Sequence, residues 1–268
     1  MSIRVRIKVN QQLDSIDINM DRSKILILVT GTEIEPYDKN WKECEATWIP
    51  QLRKLGYTVK VAIGRPKMKK WFKVDGDIIY FKAEDTKRGL VDKSIKLPSK
   101  WILEETNYEY YFRVDSDSFV EPKRFDSMLE ENLTEMPELD YMGSCHPVWH
   151  WNPHEPHRFL VCRERHFASG CGYFVSRRAM KIALDNMKIV EDFDPEIDDW
   201  VLGRAMWENG VQLLHDGRIY FESKHRVLVV DEYGVGIPDI ADPNSHLALQ
   251  HYMNGHMEDA MISLGYRK

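Results

Sequence analysis

The chain has 268 residues, of which 43% are hydrophobic and 30% are charged. This composition is typical of a folded globular protein and excludes a disordered chain. The 37 basic and 43 acidic side chains give a formal net charge of −6, whereas nucleic-acid-binding proteins usually carry a surplus of basic residues. We therefore expect an enzyme or a binding protein whose partner is not a nucleic acid.

The sequence shows no pattern of a membrane span or a secretion signal. Its longest purely apolar run covers residues 25–29, far short of the roughly 20 residues that cross a bilayer. The first residues alternate basic and apolar side chains and lack the apolar core of a signal peptide. These features predict a soluble, cytoplasmic protein.

The four cysteines form no CxxC motif; they are Cys44, Cys145, Cys162 and Cys171. Their sparse spacing favours reduced thiols in a cytosolic setting. A Cys162–Cys171 bond is the alternative in an oxidising compartment, and the sequence leaves both open.

Strand and helix patterns alternate along the first half of the chain. Short apolar runs that end near glycine or proline predict strands, and apolar residues at helical spacing predict helices. In chain order, we predict a strand at 24–30, a helix at 41–55 that Pro50 kinks or divides, strands at 57–63 and 77–81, a helix at 97–106 and a strand at 108–114. This alternation predicts an α/β domain with a central, mostly parallel sheet flanked by helices.

The second half of the chain is less regular. We predict, in order, a helix at 122–132, a strand at 139–142, a loop rich in Pro, His and Trp at 144–160, a strand at 167–175, helices at 176–187 and 195–209, and strands at 212–214 and 218–222. No linker separates the two halves. We therefore predict one domain, residues 24–268, after an N-terminal extension of residues 1–23.

One pair of carboxylates stands in a context that favours chemistry. The chain has three Asp-x-Asp motifs, at 75/77, 115/117 and 192/194, but only Asp115 and Asp117 leave the carboxyl end of a predicted apolar strand. Ligands bind at that edge of open α/β sheets. Paired carboxylates suit Mg²⁺ or Mn²⁺, which can bridge phosphate oxygens. A solvated turn is the alternative interpretation.

Several short segments resemble, in order, the landmarks of one enzyme family. They are the strand at 25–30, Glu-Ala-Thr-Trp at 45–48, Gly-Leu-Val-Asp-Lys-Ser at 89–94, Phe-Arg-Val-Asp-Ser-Asp at 112–117, the glycine-containing segment at 165–176, Asp-Asp-Trp-Val-Leu-Gly at 198–203 and Leu-Gln-His-Tyr at 249–252. Through them the chain resembles the GT-A glycosyltransferases of the Fringe and β-1,3-galactosyltransferase group. Two departures are Ser116, where many members carry a third acid, and Cys171, which stands at a usual glycine.

The resemblance implies a single GT-A (Rossmann-like) domain, with nucleotide binding in about 24–120 and acceptor binding in about 121–268. It implies an inverting, metal-dependent transfer of a sugar from a UDP-sugar to a hydroxyl of a carbohydrate acceptor. Mn²⁺ or Mg²⁺ would be held by Asp115, Asp117 and His251, with His246 and His256 as alternatives for the histidine. The family's anchor is absent from this sequence, which fits a bacterial or viral enzyme.

The resemblance also implies roles for individual residues. Asp199 would be the general base, although adjacent carboxylates at a helix start can also serve the helix dipole. The residues expected to bind the donor are Val29, Thr30, Gly31, Thr32, Lys93, Asp115, Ser116, Asp117, Gly170, Cys171 and Gly172. For the segment at 170–172, backbone packing is an equal alternative.

Acceptor binding is expected from aromatic and acidic residues of the second half. Trp149 and Trp151 would stack on a sugar or pack in the core. Asp198 and Trp200 flank the expected base and complete the acceptor set.

Two other classes of protein remain open from the sequence alone. A nucleotidyltransferase shares the sheet and the acidic site, but it usually needs basic residues in the first loop, and residues 31–35 are acidic. A non-catalytic carbohydrate-binding protein would use the Trp-rich loop without metal or nucleotide.

Overall fold

An eight-stranded sheet forms the centre of the molecule. The structure, a computed structural model, describes residues 20–150, 160–190, 198–220, 247–251, 253 and 255–267. The strands are β1 (Ile25–Thr30), β2 (Thr58–Gly64), β3 (Phe72–Asp75), β4 (Ile78–Phe81), β5 (Tyr110–Asp115), β6 (Phe119–Val120), β7 (Tyr141–His150), β8 (Leu160–Ser176), β9 (Leu214–His215), β10 (Ile219–Tyr220) and β11 (Leu249–Gln250). The helices are α1 (Asp38–Ala46), α2 (Ile49–Lys54), α3 (Leu97–Glu105), α4 (Pro122–Glu135), α5 (Arg177–Val190), α6 (Asp198–Glu208) and α7 (Met257–Ser263), with short helical turns at Arg22–Lys24, Lys87–Gly89 and Val91–Lys96.

The strand order of the main sheet is β3-β4-β2-β1-β5-β8-β7-β9. The central strands β4, β2, β1 and β5 are parallel, as are β7 and β9, whereas β3 and β8 run antiparallel to their neighbours. Four of the seven pairings are therefore parallel, which confirms the predicted α/β class with a mostly parallel sheet. A second, small sheet joins β10, β11 and β6.

Both faces of the main sheet are covered by helices. Ile27 and Val29 of β1 pack in one apolar cluster with side chains of α1, α2, α4 and α7. Leu26 and Leu28 pack in the other cluster with side chains of α3, α5 and α6. Because successive side chains of a strand point to opposite faces, a strand buried on both sides must be apolar at every position. This explains the uninterrupted apolar run of β1.

Most of the predicted elements are confirmed, and one prediction is wrong in detail. The helix predicted at 41–55, which Pro50 is expected to kink or divide, is divided: α1 ends at Ala46 and α2 begins at Ile49, so that Pro50 lies in the first turn of α2. Proline is favoured there, since that turn needs no backbone N–H. The predicted loop at 144–160 is strand in its first residues, because β7 extends to His150. The pairing of β7 with β8 is irregular beside Pro147, and this irregularity accommodates the proline.

The fold brings the carboxyl ends of the central strands to one edge. Thr30, the last residue of β1, lies opposite Asp115, the last residue of β5. The antiparallel pairing of β11 with β6 carries the C-terminal part of the chain to the same edge. Among the described helices, none is both long and apolar enough to span a membrane.

Candidate active site

Hydrogen bonds from buried side chains fix the loop that carries Asp115 and Asp117. Asp115 ends β5, and the next three residues turn into β6. The thiol of Cys44 donates to the carbonyl oxygen of Ser116 at 3.1 Å, and the indole N–H of the fully buried Trp48 donates to that of Ser118 at 3.2 Å. The junction of α1 and α2 therefore holds the acidic loop in place.

His251 lies beside this acidic pair. Its Nδ1 is 3.2 Å from Asp117 Oδ1 and 2.9 Å from the hydroxyl oxygen of Ser118. The backbone N–H of Met253 donates to the carbonyl oxygen of Asp117 at 2.7 Å, which ties the segment to the loop. Of the three candidate histidines, His251 is thus the one that the structure places at the pair. His256 precedes α7, and residue 246 lies outside the described residues.

The three side chains have the geometry of a cation site. One ligand atom from each of Asp115, Asp117 and His251 lies within 4.8 Å of the others. Ligands on opposite sides of Mg²⁺ or Ca²⁺ are about 4–5 Å apart, so the donor set fits a divalent ion. Burial raises the pKa of Asp115 to about 8, against the opposing effect of Arg113 and with a further increase from Asp117. A cation here would add positive charge beside this carboxylate and favour its ionised form.

Arg113 of β5 lies behind the carboxylates. Its guanidinium is 2.7 Å from Asp115 Oδ1 and 3.1 Å from Asp198 Oδ2, and it also donates to the carbonyl oxygen of Gly170. Its side chain is only 2% exposed. Asp198 is buried as well and faces Arg113, so its predicted contact with an acceptor stays a prediction.

Asp199, the second residue of α6, lies beside Gly170. Its Oδ2 accepts from the backbone N–H of Gly170 at 2.9 Å, and its Oδ1 accepts from that of Trp200 at 2.8 Å. Burial, followed by the neighbouring Asp198, raises the pKa of Asp199 to about 6, although both backbone hydrogen bonds and Arg113 oppose this. A carboxyl group with this pKa is ionised near neutral pH and still basic.

Close packing between α6 and β8 sets the position of Asp199. A Cβ atom on Gly203 would lie 2.1 Å from the Cβ of Phe167, so only glycine lets the helix approach the strand this closely. The glycine in the motif at 198–203 therefore has a packing reason.

The segment at 170–172 combines two functions. A Cβ atom on Gly170 would lie 3.5 Å from Asp115 Oδ2 and 3.6 Å from Asp199 Oδ2, so this glycine separates the two carboxylates. Gly172 serves packing, because its Cβ would lie 2.7 Å from Leu249.

The thiol of Cys171 is free and buried, and burial raises its pKa to about 12. The side chain of Cys162 lies outside the described part, so the alternative Cys162–Cys171 bond stays a prediction.

A second cluster forms at the ends of β1 and β2. Lys93 is buried, and its Nζ donates to the carbonyl oxygen of Gly31 at 2.9 Å and to Asp85 Oδ1 at 2.7 Å. Asp85 Oδ2 accepts from the Thr32 hydroxyl at 2.8 Å and from the backbone N–H of Glu33 at 2.9 Å. Asp85 thus shapes the first loop. Asp85 belongs to no motif of the sequence, although its position four residues after the strand predicted at 77–81 and eight residues before Lys93 was a usable signal.

The remaining predicted residues have mixed environments. Val29 is a core residue, Thr30 is buried at the end of β1, and Ser116 is partly exposed in the acidic loop. Trp200 is partly exposed, with the Arg204 guanidinium 5.5 Å from its ring centre. Trp149 lies in β7, but its side chain and all of residue 151 are outside the described part, so their acceptor roles stay predictions.

Comparison with known proteins defines the class of the chain. The family model described as Galactosyltransferase matches residues 47–216, more than half of the chain. The protein belongs to the galactosyltransferase family, and it is a glycosyltransferase. Of the three classes that the sequence left open, family membership selects this one.

Two solved structures resemble the chain at low sequence identity. One is a glycosyltransferase involved in the glycosylation of the major capsid of PBCV-1, with 11% identity over 91% of this chain and 99% of that chain and a TM-score of 0.47. The other is CMP:2-keto-3-deoxy-manno-octonic acid synthetase complexed with CTP, with 13% identity over 72% and 89% of the two chains and a TM-score of 0.44. A comparison with the sequences of characterised proteins finds no match. The assignment therefore depends on the family model.

Proposed function

We propose that the protein is an inverting, metal-dependent glycosyltransferase that moves a sugar from a UDP-sugar to a hydroxyl of a carbohydrate acceptor. One observation carries the proposal. The cation-site carboxylate Asp115 and the carboxylate Asp199 flank the same glycine, each with an oxygen within 3.6 Å of the position that a Cβ would occupy on Gly170. A leaving diphosphate at the first group and an attacking hydroxyl at the second would then be neighbours, as a displacement requires.

The residues of the first cluster would hold the donor. Asp115, Asp117 and His251 would bind Mn²⁺ or Mg²⁺, which supplies positive charge for the leaving diphosphate. The loop at 31–33, braced by Asp85 and Lys93, lies at the end of the adjacent strand and is the proposed nucleotide contact. The family's name makes UDP-galactose the first donor to test, ahead of UDP-glucose, UDP-N-acetylglucosamine and UDP-xylose.

Asp199 would take the proton of the acceptor hydroxyl. Each of its oxygens already accepts one backbone hydrogen bond, which fixes the carboxylate and leaves further acceptor capacity for the hydroxyl. The hydroxyl oxygen forms a bond to the anomeric carbon, the bond from that carbon to the diphosphate breaks, and the diphosphate leaves with the electron pair. A single displacement of this kind inverts the anomeric configuration.

A screen of donors tests the proposal. The purified full chain is incubated with each of the four UDP-sugars, with Mn²⁺ or with EDTA, and release of UDP is measured. We expect release from one donor with Mn²⁺ and background release with EDTA. Release that is equal with EDTA, or absent with every donor while Mn²⁺ fails to bind, contradicts the proposed function.

A further inference from the structure

Arg113 occupies an unusual position for a charged side chain. It is almost fully buried in the central sheet, where an ion pair is commonly no more stabilising than well-packed apolar residues. Its Nε, moreover, has no hydrogen-bond partner among the described residues. A buried donor without a partner costs stability. The position therefore calls for a role in the site.

The partners of Arg113 belong to the two halves of the site. Asp115 is in the cation cluster. Asp198 is the neighbour of Asp199 at the start of α6, and Gly170 uses its N–H to bind Asp199 while its carbonyl oxygen accepts from Arg113. One planar guanidinium thus connects the cation-site carboxylate to both elements that hold the base.

We infer that Arg113 is a positioning residue, which fixes the distance and the charge balance between the donor carboxylate Asp115 and the general base Asp199. The inference rests on the proposed function and deepens it. The rigid fork of an arginine can bind two carboxylates and a carbonyl oxygen at once, whereas the ammonium of lysine is a point charge on a flexible stem. Arginine at this position is therefore required for geometry as well as charge.

The charge of Arg113 also affects the general base. It lowers the pKa of Asp199, against the burial that raises it. Among the described residues, Asp198 on the same helix and Asp115 in the acidic loop also act on Asp199, and both form ion pairs with Arg113. Loss of the guanidinium would leave these acids without their nearest positive charge.

Two variants separate geometry from charge. Arg113→Met removes both, and Arg113→Lys keeps a positive charge without the fork. The matched control is Arg177→Met, because Arg177 donates to three backbone carbonyl oxygens near the other end of the sheet, those of Ile102, Leu103 and Tyr108. For each protein we would measure the melting temperature, the Mn²⁺ affinity by calorimetry, kcat and the pH dependence of kcat.

For Arg113→Met, we expect Mn²⁺ affinity to fall about 10–100-fold, as for loss of other groups that orient metal ligands. We expect kcat to fall about 100-fold, the cost of a shift of about 1 Å in a reacting group. A nearby cation lowers a carboxyl pKa by about 1–3 units, so loss of the guanidinium should raise the pKa of Asp199. The acidic limb of the pH profile of kcat should therefore move to higher pH by at least about 0.5 units. For Arg113→Lys, the limb should stay near that of the parent while kcat falls at least about 10-fold.

The outcomes distinguish this inference from the function on which it rests. A parent protein that binds no Mn²⁺ and releases no UDP contradicts the proposed function. An active parent, with Arg113→Met matching Arg177→Met in kcat, Mn²⁺ affinity and pH profile, overturns the inference alone. If Arg113→Met does not fold, Arg113→Lys decides, and kcat and Mn²⁺ affinity equal to those of the parent overturn the inference.

Discussion

Two Asp-x-Asp pairs of the same spacing stand in opposite surroundings. Asp75 and Asp77 lie at the tip of the β3–β4 hairpin, where they pair with lysine and arginine side chains on the surface. Asp115 and Asp117 lie beside His251 at the edge of the sheet, with Arg113 behind them. The residue types are the same, and the fold around them decides which pair can hold a cation.

Asp117→Asn should remove most of the cation affinity. The change keeps the shape of the side chain but removes a negative charge from the three-residue cluster, so we expect Mn²⁺ to bind at least about 100-fold more weakly, the upper end of what orienting groups alone contribute. Isothermal titration calorimetry measures this. The double variant Asp75→Asn/Asp77→Asn is the matched control and should bind Mn²⁺ like the parent. Equal affinities in Asp117→Asn and the parent would contradict the site.

Asp199→Asn should separate binding from chemistry. The variant cannot accept a proton, so transfer should fall by about 10²–10⁴-fold while UDP and Mn²⁺ binding persist. Asp185→Asn, which changes an exposed aspartate of α5, is the control and should be silent. Kinetics and calorimetry on the same preparations provide the two readouts. Transfer near the parental rate in Asp199→Asn would remove Asp199 from the mechanism.

The pH dependence of transfer follows from the raised pKa of Asp199. A base works only when ionised, and the pKa of Asp199 is raised to about 6 by burial and by Asp198. The rate should therefore be nearly constant above pH 7 and fall about tenfold per unit below pH 6. A profile of kcat between pH 4.5 and 8.5 tests this. A rate that rises as the pH falls would indicate an acid in place of a base.

At the scale of elements, the attachment of the C-terminal helix α7 helps to position His251. Both carboxylate oxygens of Glu43, on α1, accept backbone N–H groups at the start of α7, from Gly255 at 2.7 Å and from Met257 at 3.0 Å. The Tyr266 hydroxyl, just beyond α7, donates to the buried carboxylate of Glu121. These contacts hold α7 against the sheet. They thereby limit where the segment that carries His251 can lie.

Glu43→Ala should weaken both the attachment of α7 and the cation site. Loss of a helix cap costs about 1 kcal/mol, which lowers the melting temperature of a protein of this size by about 2–4 °C. Mn²⁺ affinity should fall several-fold, because His251 becomes less well positioned. Glu45→Ala on the same helix is the control, since its partly exposed pair with Arg53 contributes little. Identical melting temperatures and Mn²⁺ affinities in the two variants would show that the attachment of α7 does not position His251.

The elements that the sequence predicts are those with a strong local pattern. The apolar run of β1 and the strand that ends at Asp115 follow directly from composition, and Ser176 accepts the backbone N–H of Ala179 as a predicted helix cap. The two-residue strands β6 and β11 and the short helix α7 carry no such pattern, because they form only through partners distant in the chain. Pro50 predicts a possible division of the helix at 41–55, whereas the contact of Trp48 with the acidic loop at that division appears only in the structure.

The residues of the site likewise divide into those with a local signal in the sequence and those without one. Asp115 and Asp117 could be predicted from their strand, whereas His251 was accessible only through the family resemblance. Arg113 resembles any polar residue in a strand until the structure places Asp198, 85 residues away, against it. Such tertiary pairs leave no local signal in a single sequence.

At the scale of the whole molecule, the sheet collects groups whose charges oppose folding. In the absence of a cation, the pKa of Asp115 is raised to about 8 and that of Asp199 to about 6, both above the ordinary value near 4. Between pH 4 and 8 these two groups therefore bind more protons in the folded protein than in the unfolded chain, and they make stability fall as the pH rises. The arrangement sacrifices stability at the edge where the site lies.

Mn²⁺ should reverse this pH effect. A cation binds the ionised carboxylates and must displace protons at low pH, so the rise in melting temperature on adding Mn²⁺ should be larger at pH 8 than at pH 5.5. Differential scanning fluorimetry at both pH values measures it, with Asp117→Asn as the control that should show little rise at either. An equal rise at both pH values, or one that persists in Asp117→Asn, would place the cation elsewhere.

The configuration of the released sugar tests the central claim most directly. With water as the acceptor, the protein is incubated with its UDP-sugar and Mn²⁺, and proton NMR follows the anomeric signal before the free sugar equilibrates. All four candidate donors are α-linked, so a single displacement assisted by Asp199 predicts that the β-anomer appears first, only with Mn²⁺ and not with Asp199→Asn. First appearance of the α-anomer, or release that does not depend on Mn²⁺, would contradict the account.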